Sequence, residues 1–310
     1  MEPAVRVLDV LFQGEPGLVA SGLIAGAEGI ALVDPGPASS LDGLRGALAS
    51  LGFSLADVRA ILVTHIHLDH SGAAGTIVRE HPRVRVHVHE RGAPHMIDPA
   101  RLLRSAARLY GDRLGPLWGE VAPVPAANVR AIAGGEQLDI VGREIEVAYT
   151  PGHAVHHVSY LDVSTGTAFT GDVGGMCVGR ARFVVPPTPP PDIDVEQWEA
   201  SLARIRRWRP RRLCVAHFGF VDAPESHLDE LVARLRRLAL LVRESLAVEG
   251  RDADRMAWFR QALRADLRKH LSEADAAQIE REVMVDDAWL GLARYWRRRD
   301  AEAGKPSASG

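Results

Sequence analysis

The sequence predicts an α/β region followed by a helical appendage. Three observations carry this. Short apolar stretches of strand length recur through the first two thirds, and four of them run into His- and Asp-bearing loops. Beyond Glu225 the apolar residues step by three and four, the spacing of amphipathic helices. At 310 residues the chain has room for about two domains. Its 46% hydrophobic and 25% charged content is that of an ordinary globular protein.

Val5–Val10, Leu18–Ala25 and Ile30–Val33 read as strands, punctuated by Gly14, Gly17, Gly26 and Gly29. Asp34-Pro35-Gly36-Pro37 ends the third in a turn, where Asp34 either simply forms the turn or, as the resemblance given below implies, supports a neighbouring site. Leu41–Gly52 has the apolar spacing of a surface helix and leads into the buried strand Ala60-Ile61-Leu62-Val63. The run Thr64-His65-Ile66-His67-Leu68-Asp69-His70-Ser71-Gly72 follows, and a helix is expected after Ser71, through Arg79. Residues 91–120 read as an insertion over the site. Asp98 is its N-cap, Pro99 its first helical position, Leu102, Leu103, Ala106 and Leu109 its stripe, and Gly111 its end.

Strand-like Ile145–Thr150, Thr167–Thr170 and Arg212–Ala216 precede His153, Asp172 and His217 in turn. After Asp172, Arg180–Val185 runs into Pro186-Pro187-Thr188-Pro189-Pro190-Pro191, which excludes helix and central strand. Asp194 and Gln197 make a capping box that opens a helix over Val195–Trp208. Leu228, Leu231, Leu235, Leu238, Val242 and Leu246 form one helical stripe, Gly250 breaks it, and further helices are expected over Asp252–Leu271 and Glu273–Arg298. The chain thus divides into a catalytic region at 1–225, a helical region at 226–300 and a disordered tail at 301–310.

A net charge of −3 gives no electrostatic case for nucleic acid or an anionic membrane. No run approaches the roughly 18 apolar residues of a membrane span, and Met1-Glu2-Pro3-Ala4-Val5-Arg6 lacks a secretory pattern. With only Cys177 and Cys214, a reduced, cytoplasmic protein is expected. Its partner is a small-molecule substrate, and the C-terminal helices are ordinary faces or a homodimer contact.

Imidazole and carboxylate are the ligands that borderline divalent metals prefer. His65, His67, Asp69, His70, His153, Asp172 and His217 supply enough for two ions, all at strand ends. His81, His87, His89, His95, His227 and His270 are read as ordinary surface or core residues, although His95 and Tyr110 are also candidates to line a pocket. His156 and His157 lie close enough to His153 for one of them to support a ligand. Cys177 is read as a small buried thiol, and Arg180 and Arg182 as candidates to bind a substrate carboxylate.

The HxHxDH run followed in order by Thr150-Pro151-Gly152-His153, Thr170-Gly171-Asp172 and Ala216-His217-Phe218-Gly219 resembles the metallo-β-lactamase-fold hydrolases, and within them the glyoxalase II-like branch. The resemblance covers roughly residues 5–225 and implies a four-layer αββα sandwich. It also implies that His65, His67 and His153 hold one metal, that Asp69, His70 and His217 hold a second, and that Asp172 bridges them. Two such ions, zinc ahead of iron or manganese, hold a bridging hydroxide that cleaves an ester, thioester or lactone. Asp69 would orient that nucleophile and carry its proton. The C-terminal part shows no match to the branch's glutathione-binding residues, so the acyl substrate is left open. Three alternatives stand behind this reading: a persulfide dioxygenase-like oxidoreductase with one iron, a phosphodiesterase or nuclease of the same fold, and a non-enzymatic sensor.

Overall fold

The computed structural model describes residues 4–282 and 284–303. The N-terminal half builds one six-stranded sheet from β1 (Val5–Asp9), β2 (Ala20–Gly26), β3 (Gly29–Val33), β4 (Val58–Leu62), β5 (Arg85–His89) and β6 (Val129–Ile132), which lie side by side in chain order. The first three are antiparallel and β3 to β6 are parallel. The parallel crossovers carry α1 (Leu41–Ser50) and, between β4 and β5, α2 (Leu68–Ser71) and α3 (Ala74–Glu80). Between β5 and β6 come α4 (Ala93–Ile97), α5 (Ala100–Tyr110) and α6 (Leu114–Trp118).

The second half starts with β7 (Gln137–Ile140), β8 (Arg143–Tyr149), β9 (Val158–Asp162) and β10 (Thr167–Phe169). A separate hairpin, β11 (Met176–Val178) with β12 (Phe183–Val185), leads to α7 (Val195–Arg207), then β13 (Arg212–Val215) and β14 (Gly219–Val221). The second sheet has the order β14-β13-β10-β9-β8-β7, with β10 and β13 parallel. Among the described residues four helices follow: α8 (Pro224–Leu246), α9 (Asp252–Leu267), α10 (Glu273–Glu282) and α11 (Val285–Ala303).

Side chains alternate along a strand, so a strand covered on both faces needs apolar residues at every position. β3 and β4 obey this. Ile30, Leu32 and Ile61 face the core under α1 and α3, whereas Ala31, Val33, Ala60 and Leu62 face the other sheet. In β10 and β13, Phe169 and Cys214 point into the intersheet core, and Ala168, Leu213 and Val215 point toward α7, α8 and α11. The result is the αββα sandwich. Its sheets come close at Gly22, where a Cβ would lie 2.5 Å from the Phe169 ring. Among the described residues no helix is long and apolar enough to cross a membrane.

Several elements differ in detail from the sequence reading. The helix expected after Ser71 starts inside the histidine run, at Leu68, and resumes as α3. Asp98 caps α5 through Ala100 N at 3.0 Å, but Pro99 precedes the helix instead of opening it. The segment Glu273–Arg298 is two helices, because its parts pack on different surfaces. Ala276 and Ile279 of α10 lie against Val178, Phe183 and Val185 of the hairpin, whereas Trp289 and Leu292 of α11 join the core formed by α7 and α8. Residues 301–303, expected in a disordered tail, continue α11, and 304–310 lie outside the described residues.

Candidate metal centre

Every polar residue singled out as a ligand sits just beyond the C-terminal end of a strand. The run follows β4, His153 follows β8, Asp172 follows β10, and His217 follows β13. The structure brings all seven together. One set of ligand atoms comes from His65, His67, His153 and Asp172, a second from Asp69, His70 and His217, and within each set all lie within 4.8 Å of one another.

In the first set His67 Nδ1 lies 2.9 Å from His65 Nε2 and 3.0 Å from His153 Nε2. Asp172 Oδ2 is 3.4 Å from His153 Nε2 and 3.9 Å from His65 Nε2. In the second, Asp172 Oδ1 is 3.1 Å from His70 Nε2 and 3.4 Å from His217 Nε2. Asp69 Oδ2 is 3.4 Å from His217 Nε2 and 3.6 Å from His70 Nε2. A tetrahedral zinc with bonds near 2.05 Å has ligand-to-ligand edges of about 3.3 Å. Both sets have that scale, and Asp172 turns one oxygen to each.

The outer ring nitrogens reinforce the pattern. His153 Nδ1 meets the Pro187 carbonyl at 2.9 Å, and His217 Nδ1 meets that of Leu18 at 2.8 Å. His70 Nδ1 meets Asp34 Oδ2 at 2.9 Å. These oxygens can only accept, so each Nδ1 donates and each Nε2 is the ring atom turned inward. His65 follows suit: the Thr64 hydroxyl donates to Asp34 at 2.6 Å, which leaves its oxygen to accept from His65 Nδ1 at 3.1 Å. His70 Nε2 and Asp172 Oδ1 are both buried and face each other at 3.1 Å. Such a pair is costly unless a proton or a metal ion lies between its atoms, and with Asp69 and His217 beside it the residues present fit a divalent ion.

Electrostatics divides the sets. Burial, reinforced by its histidine neighbours, pushes His65 far below the usual imidazole range, and burial carries His153 down to about 4 against the pull of Asp172. Burial also opposes charge on His70, but Asp172, Asp69 and Asp34 overcome it and hold this ring well above the usual range. His217 is raised in the same way, by Asp172 and Asp69 against burial. For Asp69, burial favours the neutral acid, yet His70 and His217 bring its carboxyl down to about 2.

Other predicted residues fall into separate places. Asp34 supports the site: it accepts from Thr64 N at 2.7 Å, from the Thr64 hydroxyl and from His70. His157 bonds Thr150 Oγ1 at 2.9 Å and stacks 5.1 Å from the His65 ring, whereas His156 faces Ile66 N at 3.5 Å and lies edge-on to His67. Neither hydrogen-bonds a ligand ring. Arg182 donates to the carbonyls of Phe218 and Phe220, just past His217, and Arg180 is exposed at the hairpin turn. Tyr110 packs edge-on against Trp118 within electrostatic reach of Asp69, and His95 lies half-buried within reach of His156. Cys177 and Cys214 are buried free thiols, the latter pushed up to about 12 by burial.

Thr64, Leu18 and Pro187 have no assigned role in the sequence reading. Thr64 stands next to His65 and carried a local signal; the two carbonyls carried none, since any residue type supplies one.

The model of the metallo-β-lactamase superfamily matches residues 14–217, a span that begins before the first ligand and ends on the last. The chain belongs to this superfamily. It is 29% identical over 197 residues to the metallo-β-lactamase fold-containing protein ST1585 of Sulfurisphaera tokodaii, covering 62% of this chain and 73% of that one. It is 25% identical over 232 residues to a hydroxyacylglutathione hydrolase of a Synechococcus species, covering 70% and 76%. Among solved structures, the metallo-β-lactamase family protein TTHA1429 of Thermus thermophilus superposes with a TM-score of 0.68 at 22% identity, over 96% of this chain and 95% of that one. The superfamily's members are mostly metal-dependent hydrolases, and the His/Asp cluster lies within the matched span.

Proposed function

We propose that the chain is a binuclear metal-dependent hydrolase of small esters, thioesters or lactones, close in chemistry to the glyoxalase II-like branch and working with zinc. The observation that carries this reading is the Asp172 carboxylate, which offers one oxygen to each ligand set, Oδ2 toward His153 and Oδ1 toward His70 and His217. His65, His67, His153 and Asp172 Oδ2 would hold one ion, and Asp69, His70, His217 and Asp172 Oδ1 the other. Two such ions supply a water acidic enough to attack at neutral pH and a Lewis acid for the oxygen under attack.

The chain's own residues do the rest. Asp69 is the more open carboxylate, 24% exposed against 6% for Asp172, so it is the one that can reach an incoming water. As an ionised acceptor it orients that water and takes up the proton released by attack, which it can return to the leaving group. Asp34, Thr64 and the Pro187 and Leu18 carbonyls lock the imidazoles so that little reorganisation accompanies the reaction. The Synechococcus relative supports a thioester substrate. Glutathione itself is less favoured, because arginines of the C-terminal helices such as Arg236, Arg260 and Arg264 are held by Glu199, Asp286 and Glu280.

Metal analysis with a hydrolysis panel tests the reading. Two equivalents of zinc per chain, with an acyl ester, thioester or lactone turned over faster than a phosphodiester, are expected. One equivalent of iron with oxygen uptake on a persulfide overturns it.

A further inference from the structure

We propose that Arg182 is a positioning residue for the metal ligand His217, clamping the loop that carries it to the hairpin β11–β12 and so holding the second ligand set together; this rests on the binuclear reading of the site. His217 sits in the three-residue link Ala216-His217-Phe218 between β13 and β14. β14 is the end strand of its sheet, and the outer edge of an end strand leaves carbonyls without a strand partner. Arg182 Nη2 meets two carbonyls here, donating to that of Phe218 at 3.1 Å and to that of Phe220 at 2.8 Å. Bonds from a charged donor are stronger than those between neutral groups, and a guanidinium can serve two acceptors at once. The side chain that the sequence offers to a substrate carboxylate is thus engaged with backbone.

The hairpin grips the same link at two more points. Met176 of β11 forms a parallel bridge with His217 itself, and Cys177 N donates to the His217 carbonyl. Val178 pairs across the hairpin with Phe183, the residue after Arg182, so one register sets both Cys177 and the base of the arginine. The C-terminal helices brace this hairpin. Leu267, Ala276 and Ile279 pack on Val178, Phe183 and Val185, and the Arg234 guanidinium lies 3.4 Å from the centre of the Phe183 ring. From the first sheet, Ala20 N of β2 donates to the Ala216 carbonyl at 2.8 Å, and His217 Nδ1 donates to that of Leu18. His217 is therefore gripped between the first sheet and a hairpin that α8, α9 and α10 hold in place.

Charge separates a clamp from an electrostatic role. A guanidinium bound next to a metal ligand repels the cation, so its removal alone would tighten metal binding. Loss of a clamp acts the other way, because His217 Nε2 is then no longer held 3.4 Å from both Asp69 Oδ2 and Asp172 Oδ1. The sign of the change in affinity tells the two apart.

Arg182→Met in the full chain tests this with two readouts. In a competition titration against a chromophoric zinc chelator, the second equivalent should bind at least about tenfold more weakly while the first stays within about twofold. In the metal-free protein, hydrogen exchange of the Cys177 and Ala20 amides, which bond the His217 and Ala216 carbonyls, should accelerate at least about tenfold. The Val158 amide, bonded to the Thr64 carbonyl at 2.8 Å beside the first set, should exchange as in the parent and so report an intact fold. Second-equivalent binding that is unchanged or tighter overturns the clamp, as does Cys177 exchange that matches the parent. Equal acceleration of all three amides overturns it as well, since stability at large is then what was lost. Unchanged zinc affinity with KM raised for a carboxylate-bearing ester also overturns it and returns Arg182 to substrate binding. Weakened zinc and faster exchange in a protein that hydrolyses no ester, thioester or lactone support the clamp and overturn the hydrolase reading alone.

Discussion

Replacing Asp34 by Asn tests whether metal affinity is set by residues that never touch the metal. Asp34 accepts three hydrogen bonds, from Thr64 N at 2.7 Å, Thr64 Oγ1 at 2.6 Å and His70 Nδ1 at 2.9 Å. Its backbone is left-handed, with φ of 52°, a region Asn tolerates as well as Asp, so the turn should survive. An amide cannot accept all three. With its oxygen on Thr64 N, its NH₂ confronts two donors; turned the other way, it confronts Thr64 N. The first arrangement is relieved if His70 moves its proton from Nδ1 to Nε2, which removes the lone pair aimed at Asp172 and the second ion. Supporting hydrogen bonds of this kind are worth about 10- to 100-fold in metal affinity, and a buried donor left unpaired costs about 1–3 kcal/mol. Competition against a chromophoric zinc chelator should therefore show the second equivalent weakened by that factor while the first, on His65, His67 and His153, changes little. Both equivalents within twofold of the parent would refute the idea that Asp34 fixes the tautomer of His70.

Three further outcomes are expected. His70→Ala should keep one tightly held equivalent of metal and lose the second, with kcat/KM down by more than about a hundredfold; two retained equivalents would show the ligand assignment to be wrong. In metal-free protein His70 is held well above the usual imidazole range and keeps a proton that a metal must displace, and His217 is raised in the same direction, whereas His65 and His153 are depressed and give up theirs more readily. Loading the second set should thus release protons, and acidification should strip its ion first, with the first set holding on toward the His153 value of about 4; release of both ions in one step at one pH contradicts this. Gly152→Ala should destabilise the fold by at least about 3 kcal/mol in a denaturant titration. Gly152 has φ of 131°, and a Cβ there would lie 2.4 Å from the Trp198 backbone.

The strands and the seven polar positions were legible because each has a local signature: an apolar run of fixed length, then His or Asp at its end. The alternation of Ile30, Ala31, Leu32 and Val33 between two cores could not be read that way, since a strand buried on both faces loses its period. Nor could the break between α10 and α11. The helical spacing runs through it, and what sets the two helices apart is that Ile279 and Trp289 pack into different cores. Asp34 was half legible, as a turn residue whose partner His70 lies 36 positions away. The Pro187 and Leu18 carbonyls were not legible at all, because backbone groups acquire a role only when the fold carries them to a histidine.

Hydrogen bonds beside the ligands join the two sheets, which explains how loops from both halves form one site. Val158 N, at the start of β9, bonds the Thr64 carbonyl at 2.8 Å, and the Tyr160 hydroxyl bonds that of Val63 at 2.9 Å. Ala20 N of β2 meets the Ala216 carbonyl at 2.8 Å, one residue before His217, whose ring bonds Leu18. The strand ends that carry the histidine run and His217 are thereby each tied to the opposite sheet. A shift of one sheet against the other would separate Asp69 and His70 from His217 and Asp172 and would break these buried bonds, each net worth about 1 kcal/mol and more if left unpaired. Intersheet packing is therefore what holds the two ligand sets in register, and the shared carboxylate of Asp172 lies where the two halves meet.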